Sequence, residues 1–144
     1  MVAVGYWQQS GETVTGMARA IDGDSLRLGH RELRLAGIDA PELHQTCQHD
    51  DGVYPCGREA RGYLDGILAR APVTCTMREK DRYGRDLALC RQGDMDVNAA
   101  LVREGQAVAY GRFDAEERQA RGARRGVWSG RFERPADWRR THPR

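Results

Sequence analysis

A chain of 144 residues that is 31% charged and 40% hydrophobic suffices for one domain with one core and is too short for two. It contains nothing near the roughly 20 consecutive apolar residues of a membrane span, and no internal repeat, low-complexity tract or disorder-type composition. The net charge of +2 conceals an asymmetry: residues 1–111 carry 13 basic and 16 acidic groups, whereas residues 112–144 carry 10 arginines and 5 acidic groups. Such a C-terminal portion suits a polyanionic partner, and equally suits a solvated helix of mixed charge.

Residues 1–12 read as a leader or tail. They lack the apolar run of about 7–15 residues found in a signal peptide, so the chain is read as mature or trimmed. Residues 13–21 form a first strand interrupted at Gly16. Residues 25–28 alternate, with Leu26 and Leu28 on one face. Gly29 and His30 make a two-residue turn, and residues 31–38 return with Leu33 and Leu35 on one face and Arg34 on the other. An arginine between leucines needs a polar destination, because an unpaired buried guanidinium is costly. Residues 39–57, with Pro41 and Pro55, form a long polar loop of a length usually reserved for function or cross-linking.

The clearest helix is 58–70, where Ala60, Tyr63, Leu64, Ile67 and Leu68 share one stripe; this places Tyr63 in the core. Residues 73–79 and 86–91 form a hairpin centred on Arg82 and Tyr83. A second helix runs from near Asp96 to before Gly105, and a short strand covers 107–110. A third helix opens with a capping box, Asp114 and Glu117, and closes at Gly126. Trp128 and Trp138 then clamp a Pro- and Arg-rich tail onto the body. Strands come first, helices enter late, and βαβ alternation is missing, so the fold class is α+β with a small antiparallel barrel.

Four cysteines, Cys47, Cys56, Cys75 and Cys90, show no C-x-x-C pairing. A symmetric hairpin about Arg82 and Tyr83 sets Cys75 opposite Cys90, within disulfide reach, which leaves Cys47 and Cys56 as the second pair. A zinc site using His44 and His49 is the rival for that loop. Two disulfides imply an oxidising compartment.

Three segments carry chemistry: Asp22-Gly23-Asp24-Ser25, residues 34–42 with Arg34, Asp39, Ala40 and Glu42, and residues 81–85 with Arg82, Tyr83 and Arg85. If Gly29-His30 is a hairpin turn, Asp24 and Asp39 emerge at the same end, with Glu42 three residues on. Gathered carboxylates repel, so a hard divalent ion with oxygen ligands fits among them. A nearby arginine then points to phosphate as the shared partner.

These segments, in this order and spacing, resemble the staphylococcal nuclease (thermonuclease) family. The similarity runs from about Ile21 to Trp128 and includes residues 98–105 and 107–110. The resemblance implies a five-stranded antiparallel OB-fold β-barrel with about three α-helices, spanning 13–129 and followed by the tail at 130–144. It implies Ca²⁺ held by Asp24, Asp39 and the Ala40 carbonyl, and Glu42 as general base. Arg34 and Arg85 would grip the scissile phosphate, and Arg82, Tyr83 and Tyr110 would hold the neighbouring phosphate and stack a base. The expected activity is calcium-dependent hydrolysis of DNA or RNA to 3′-phosphates by a periplasmic or secreted monomer with no obligate protein partner. The alternative is a non-catalytic OB-fold module that binds nucleic acid or peptide.

Overall fold

A computed structural model of the chain describes residues 11–143. Residues 1–10 of the expected leader lie outside them, while Glu12 already belongs to a strand. In chain order the elements are β1 (Glu12–Gly16), β2 (Ala18–Asp22), β3 (Ser25–Leu28), β4 (Arg31–Leu35), β5 (Ile38–Asp39), β6 (Cys47–His49) and β7 (Gly52–Tyr54). Helix α1 (Cys56–Leu68) follows, then β8 (Val73–Lys80), β9 (Asp86–Gln92), β10 (Met95–Asp96), α2 (Val97–Arg103) and β11 (Val108–Ala109). The chain ends with α3 (Asp114–Ala123), a 3₁₀ turn (Gly126–Ser129) and α4 (Pro135–Thr141).

The main sheet has the order β1-β8-β9-β4-β3-β2, with β10 attached to β9. Its two edge strands, β1 and β2, are separated in the chain by Met17 alone. A sheet whose opposite edges are almost continuous in sequence must curl until they meet. With β1 and β2 counted as one bent strand, this is the five-stranded OB-type barrel. Not every pair is antiparallel, however: β4 and β9 run parallel, with Leu33, Arg34 and Leu35 against Asp86, Leu87 and Ala88.

Period-two alternation decides the interior. Leu26, Leu28, Leu33, Leu35, Cys75, Met77, Ala88 and Cys90 all point inward and are almost wholly buried. Helix α1 covers this core and packs on β2 with Ala60, Leu64, Ile67 and Leu68. Each such leucine or isoleucine contributes about 1.5–3 kcal/mol by leaving water. Helix α2 adds Val97, Leu101 and Val102, and begins at Asp96, whose side chain accepts from Ala99 N at 3.0 Å. Asn98 on α2 is fully buried: its Oδ1 accepts from Cys90 N, and its Nδ2 donates to the carbonyls of Ala36 (2.9 Å) and Ala88 (3.0 Å). It thereby ties off the backbone at the β4–β9 seam.

The Gly29-His30 turn joins β3 to β4 with Leu28 opposite Arg31. Cys75 lies opposite Cys90, and the structure contains Cys75–Cys90 and Cys47–Cys56 disulfides. Zinc therefore has no thiolate in the 44–56 loop; His49 instead stacks on Tyr54 with ring centroids 3.7 Å apart.

Several local expectations are corrected. The loop at 39–57 has secondary structure of its own, the β6–β7 hairpin. Helix α1 starts at Cys56 and ends at Leu68, and Tyr63 is exposed, because it sits at the border of the apolar stripe. Asp114 is the first residue of α3 rather than its cap: Phe113 occupies the cap position at φ 66°, and Glu117 bonds Ala109 N at 2.8 Å. Arg124, at φ 55°, ends α3 before Gly126, which opens the 3₁₀ turn. The region beyond 130 contains a fourth helix, α4, carrying Trp138, while Trp128 lies in the 3₁₀ turn and meets Phe132 edge-on.

Candidate active site

Asp24 sits at the tight turn between β2 and β3. Asp22 builds that turn, its Oδ1 accepting from Asp24 N (3.1 Å) and Ser25 Oγ (2.7 Å). Gly23 is needed between them, since a Cβ there would lie 2.7 Å from that of Ala60 and 2.8 Å from that of Ala40. The turn is therefore pressed against α1 and the residue after Asp39. Asp24 Oδ2 accepts from Ala40 N at 2.8 Å and faces Arg34 Nη1 at 3.0 Å. Burial pushes the Asp24 carboxyl well above the usual carboxylate range; Arg34 opposes this and Asp22 adds to it.

Arg34 leaves β4 on the face away from the core and turns toward both aspartates. Its Nη2 donates to Ile38 O at 3.3 Å and lies 3.6 Å from Asp39 Oδ1. Its Nη1 is buried, and although it ion-pairs with Asp24 it has no hydrogen bond of good geometry. Asp39 lies on β5, clamped against Val108 of β11, and its side chain is 3% exposed.

Glu42 is placed by its backbone. Its N–H donates to Gln45 Oε1 (3.1 Å), its carbonyl accepts from Gln45 N (2.7 Å), and Gln45 Nε2 reaches Glu133 O (2.8 Å). Helix α1 abuts the same carbonyl so closely that a Cβ on Gly57 would lie 1.8 Å from it. Gln45 is fully buried. Sequence reasoning passed over it; a polar residue three positions after Glu42 was the available signal.

A second guanidinium enters from α4. Arg139 donates to Asp39 Oδ1 and Oδ2, both at 3.1 Å, and to Glu42 Oε2 at 2.9 Å. Acids and bases thus alternate: Asp24, Arg34, Asp39, Arg139, Glu42. Nothing in the sequence pattern marked Arg139.

The remaining candidates make their contacts with other residues. Arg85 donates from Nε to Asp81 Oδ2 at 2.7 Å, and Asp81 Oδ1 also accepts from the N–H groups of Tyr83 and Arg85. Arg82 and Arg85 lie 5.4 and 5.9 Å from the centre of the exposed Tyr83 ring. The parallel register sets Arg34 beside Leu87. Beside Arg34 on this outer face is a groove of about 250 Å³ lined by Ala36, Thr76, Arg78, Glu79, Leu87, Leu89 and Arg112. Tyr110 is exposed, with its N–H bound to Gly37 O at 2.9 Å.

The sequence model of the "Staphylococcal nuclease homologue" family matches residues 32–130, most of the barrel and the segments carrying Arg34, Asp39, Glu42 and Arg85. The chain belongs to the staphylococcal nuclease family. A micrococcal nuclease of Shigella flexneri is 34% identical over 98% of this chain and 87% of its own length. The thermonuclease of Staphylococcus hyicus is 32% identical over 77% and 73%. The succinoglycan biosynthesis protein ExoI of Rhizobium meliloti (strain 1021) is 34% identical over 85% of this chain and 68% of its own length.

The residues of this staphylococcal nuclease homologue fit the cation the family implies. The donors are all hard oxygens, and two of the carboxylates, Asp24 and Asp39, are buried on either side of Arg34. No group of three or more His, Cys, Asp or Glu gathers at one point among the described residues. Much of a calcium shell would therefore come from carbonyl, water and phosphate oxygens.

Proposed function

We propose that this chain is a calcium-dependent nuclease that hydrolyses phosphodiester bonds of DNA or RNA and leaves 3′-phosphates. The observation that carries the reading is the convergence of buried Asp24 and Asp39 with Arg34 and Glu42 at one end of the barrel. In this reading Asp24, Asp39 and the Ala40 carbonyl hold Ca²⁺, which supplies positive charge to the phosphate oxygens. Glu42 takes the proton of the attacking water, a role worth about 10²–10⁴-fold in rate. Arg34 gives up part of its pairing with Asp24 to grip the phosphate, and Arg85 swings from Asp81 to meet the charge that develops in the transition state. Arg82, Tyr83 and Tyr110 hold the neighbouring phosphate and stack a base, the two tyrosines through exposed rings. The two disulfides support a periplasmic or secreted setting.

The test is an initial-rate assay on plasmid DNA and on RNA with chelator, Ca²⁺ or Mg²⁺. Chelator abolishes cleavage, Ca²⁺ restores it and Mg²⁺ restores little, because the stricter octahedron of Mg²⁺ misplaces the phosphate. Glu42→Gln lowers the rate at least about 10²-fold with the fold retained. Full activity in chelator, or a Glu42→Gln protein cutting like wild type, defeats the assignment. Pairing of Asp39 and Glu42 with Arg139 favours a second reading, an OB-fold module that binds without cutting; retention of DNA with no cleavage under any cation selects it.

A further inference from the structure

Arg139 contacts two of the side chains that the proposed function assigns to metal and water, yet it arrives from the far end of the chain. The stretch before it is well anchored. Gln48 and Arg131 exchange backbone hydrogen bonds of 2.8 and 2.9 Å, Gln45 holds Glu133 O, Phe132 meets Trp128, and Pro135 is buried. Beyond Pro135 the described polar contacts change character. Arg140 pairs with Asp137, Thr141 Oγ1 donates to Trp138 O, and Trp138 stacks on His142, all within α4 or at its end. Among the described residues, the salt bridges from α4 to the rest of the protein are the two that Arg139 makes with Asp39 and Glu42. Its side chain is 40% exposed, against 3% for Asp39, so the guanidinium reaches the site from the solvent side.

The contact uses both oxygens of Asp39 in a bidentate fork and one of Glu42. The fork takes one lone pair of each Asp39 oxygen on the side facing Arg139, and a cation approaching from that side meets both occupied positions and a like charge, so it enters there by displacing these bonds. Cation and guanidinium therefore compete for Asp39. We propose that Arg139 is a displaceable latch: in the resting protein α4 holds Asp39 and Glu42, and a divalent cation binds only as Arg139 is expelled. This rests on the reading of Asp39 as a cation ligand. Competition of this kind lowers apparent cation affinity by the fraction of molecules in which the latch is open. Since only α4 beyond Pro135 must move, Phe132, Glu133 and the Gln48–Arg131 bridge stay in place.

The experiment is calorimetric titration of Ca²⁺ into the full chain without nucleic acid, for wild type, Arg139→Gln, Arg139→Lys and Arg140→Gln, with circular dichroism confirming each fold. Amide hydrogen exchange over residues 136–141 is followed with and without Ca²⁺. Arg139→Gln is expected to bind Ca²⁺ on the order of 10-fold more tightly, within the range of ordinary couplings between sites. Arg139→Lys falls between, since it keeps the charge and loses the fork. Arg140→Gln removes the same charge one residue on and stays within about twofold of wild type, which separates the latch from the general field. Saturating Ca²⁺ speeds exchange over 136–141 in wild type. Equal Ca²⁺ affinity for wild type and Arg139→Gln, weaker binding by the variant, or slower exchange with Ca²⁺ overturns the latch and leaves the cation site standing. No Ca²⁺ binding by any of the four proteins overturns the cation site, and the latch with it.

Discussion

The two disulfides close loops of similar size, with sequence separations of 9 and 15. Chain-entropy reasoning gives them nearly equal stabilisation, about 3 kcal/mol each. They nevertheless hold different things. Cys75–Cys90 lies inside the barrel between two strands that are already hydrogen-bonded along their length, so it reinforces a register set by other forces. Cys47–Cys56 binds the loop that carries Glu42 and Gln45 to the first residue of α1, in a separate small cluster with Val127, Tyr54, Trp128 and Phe132. The barrel keeps its shape through many redundant contacts, whereas Glu42 depends on a few specific ones.

That contrast can be broken most sharply at Gly57. A methyl group there collides with the Glu42 carbonyl, so Gly57→Ala should cut the rate by about 10²-fold or more, the scale of an ångström-sized displacement of a catalytic group. Steady-state kinetics on folded protein checks it, and near-normal turnover would show that Glu42 is not held from that side. Next comes Cys47→Ala with Cys56→Ala, expected to lower the rate about 10-fold as well as the stability by about 3 kcal/mol. The matching pair, Cys75→Ala with Cys90→Ala, should lose a similar amount in urea denaturation while the folded fraction keeps its turnover. If both pairs lose rate alike, the division between barrel and loop is wrong. The smallest effect is at Gly66, on the same helix as Gly57 but with open space around it. Gly66→Ala should raise stability by roughly 0.5–1 kcal/mol and leave the rate alone.

The same division explains what could be read from the sequence. Leu26, Leu28, Leu33 and Leu35 announce their strands by alternation, and the hairpin about Arg82 and Tyr83 brings Cys75 opposite Cys90 once a bulge between Met77 and Glu79 has absorbed one residue of register. Asp24 and Asp39 could be brought together on paper because a single hairpin relates them. Tyr63 followed the helical period yet came out exposed, since a stripe's edge residue is decided by what packs over it. Asp114 and Glu117 matched the capping-box spacing, but Glu117 found a better-placed donor in Ala109 N. Arg139 was invisible for a different reason: its partners Asp39 and Glu42 are specified by tertiary packing, which leaves no period or spacing behind.

The parallel pairing of β4 with β9 bears on how the candidate site comes to be assembled. The β2–β3–β4 meander and the β8–β9 hairpin are local in sequence and can form on the microsecond scale of hairpins. Joining β4 to β9, and β1 to β8, brings together distant parts of the chain, and such contacts form late because their loop-closure entropy comes first. Arg34 belongs to the first unit and Arg85 to the second, while Arg139 arrives from beyond both. A partly folded chain therefore holds only fragments of the candidate site, and the site is whole only once β4 has joined β9 and α4 has docked.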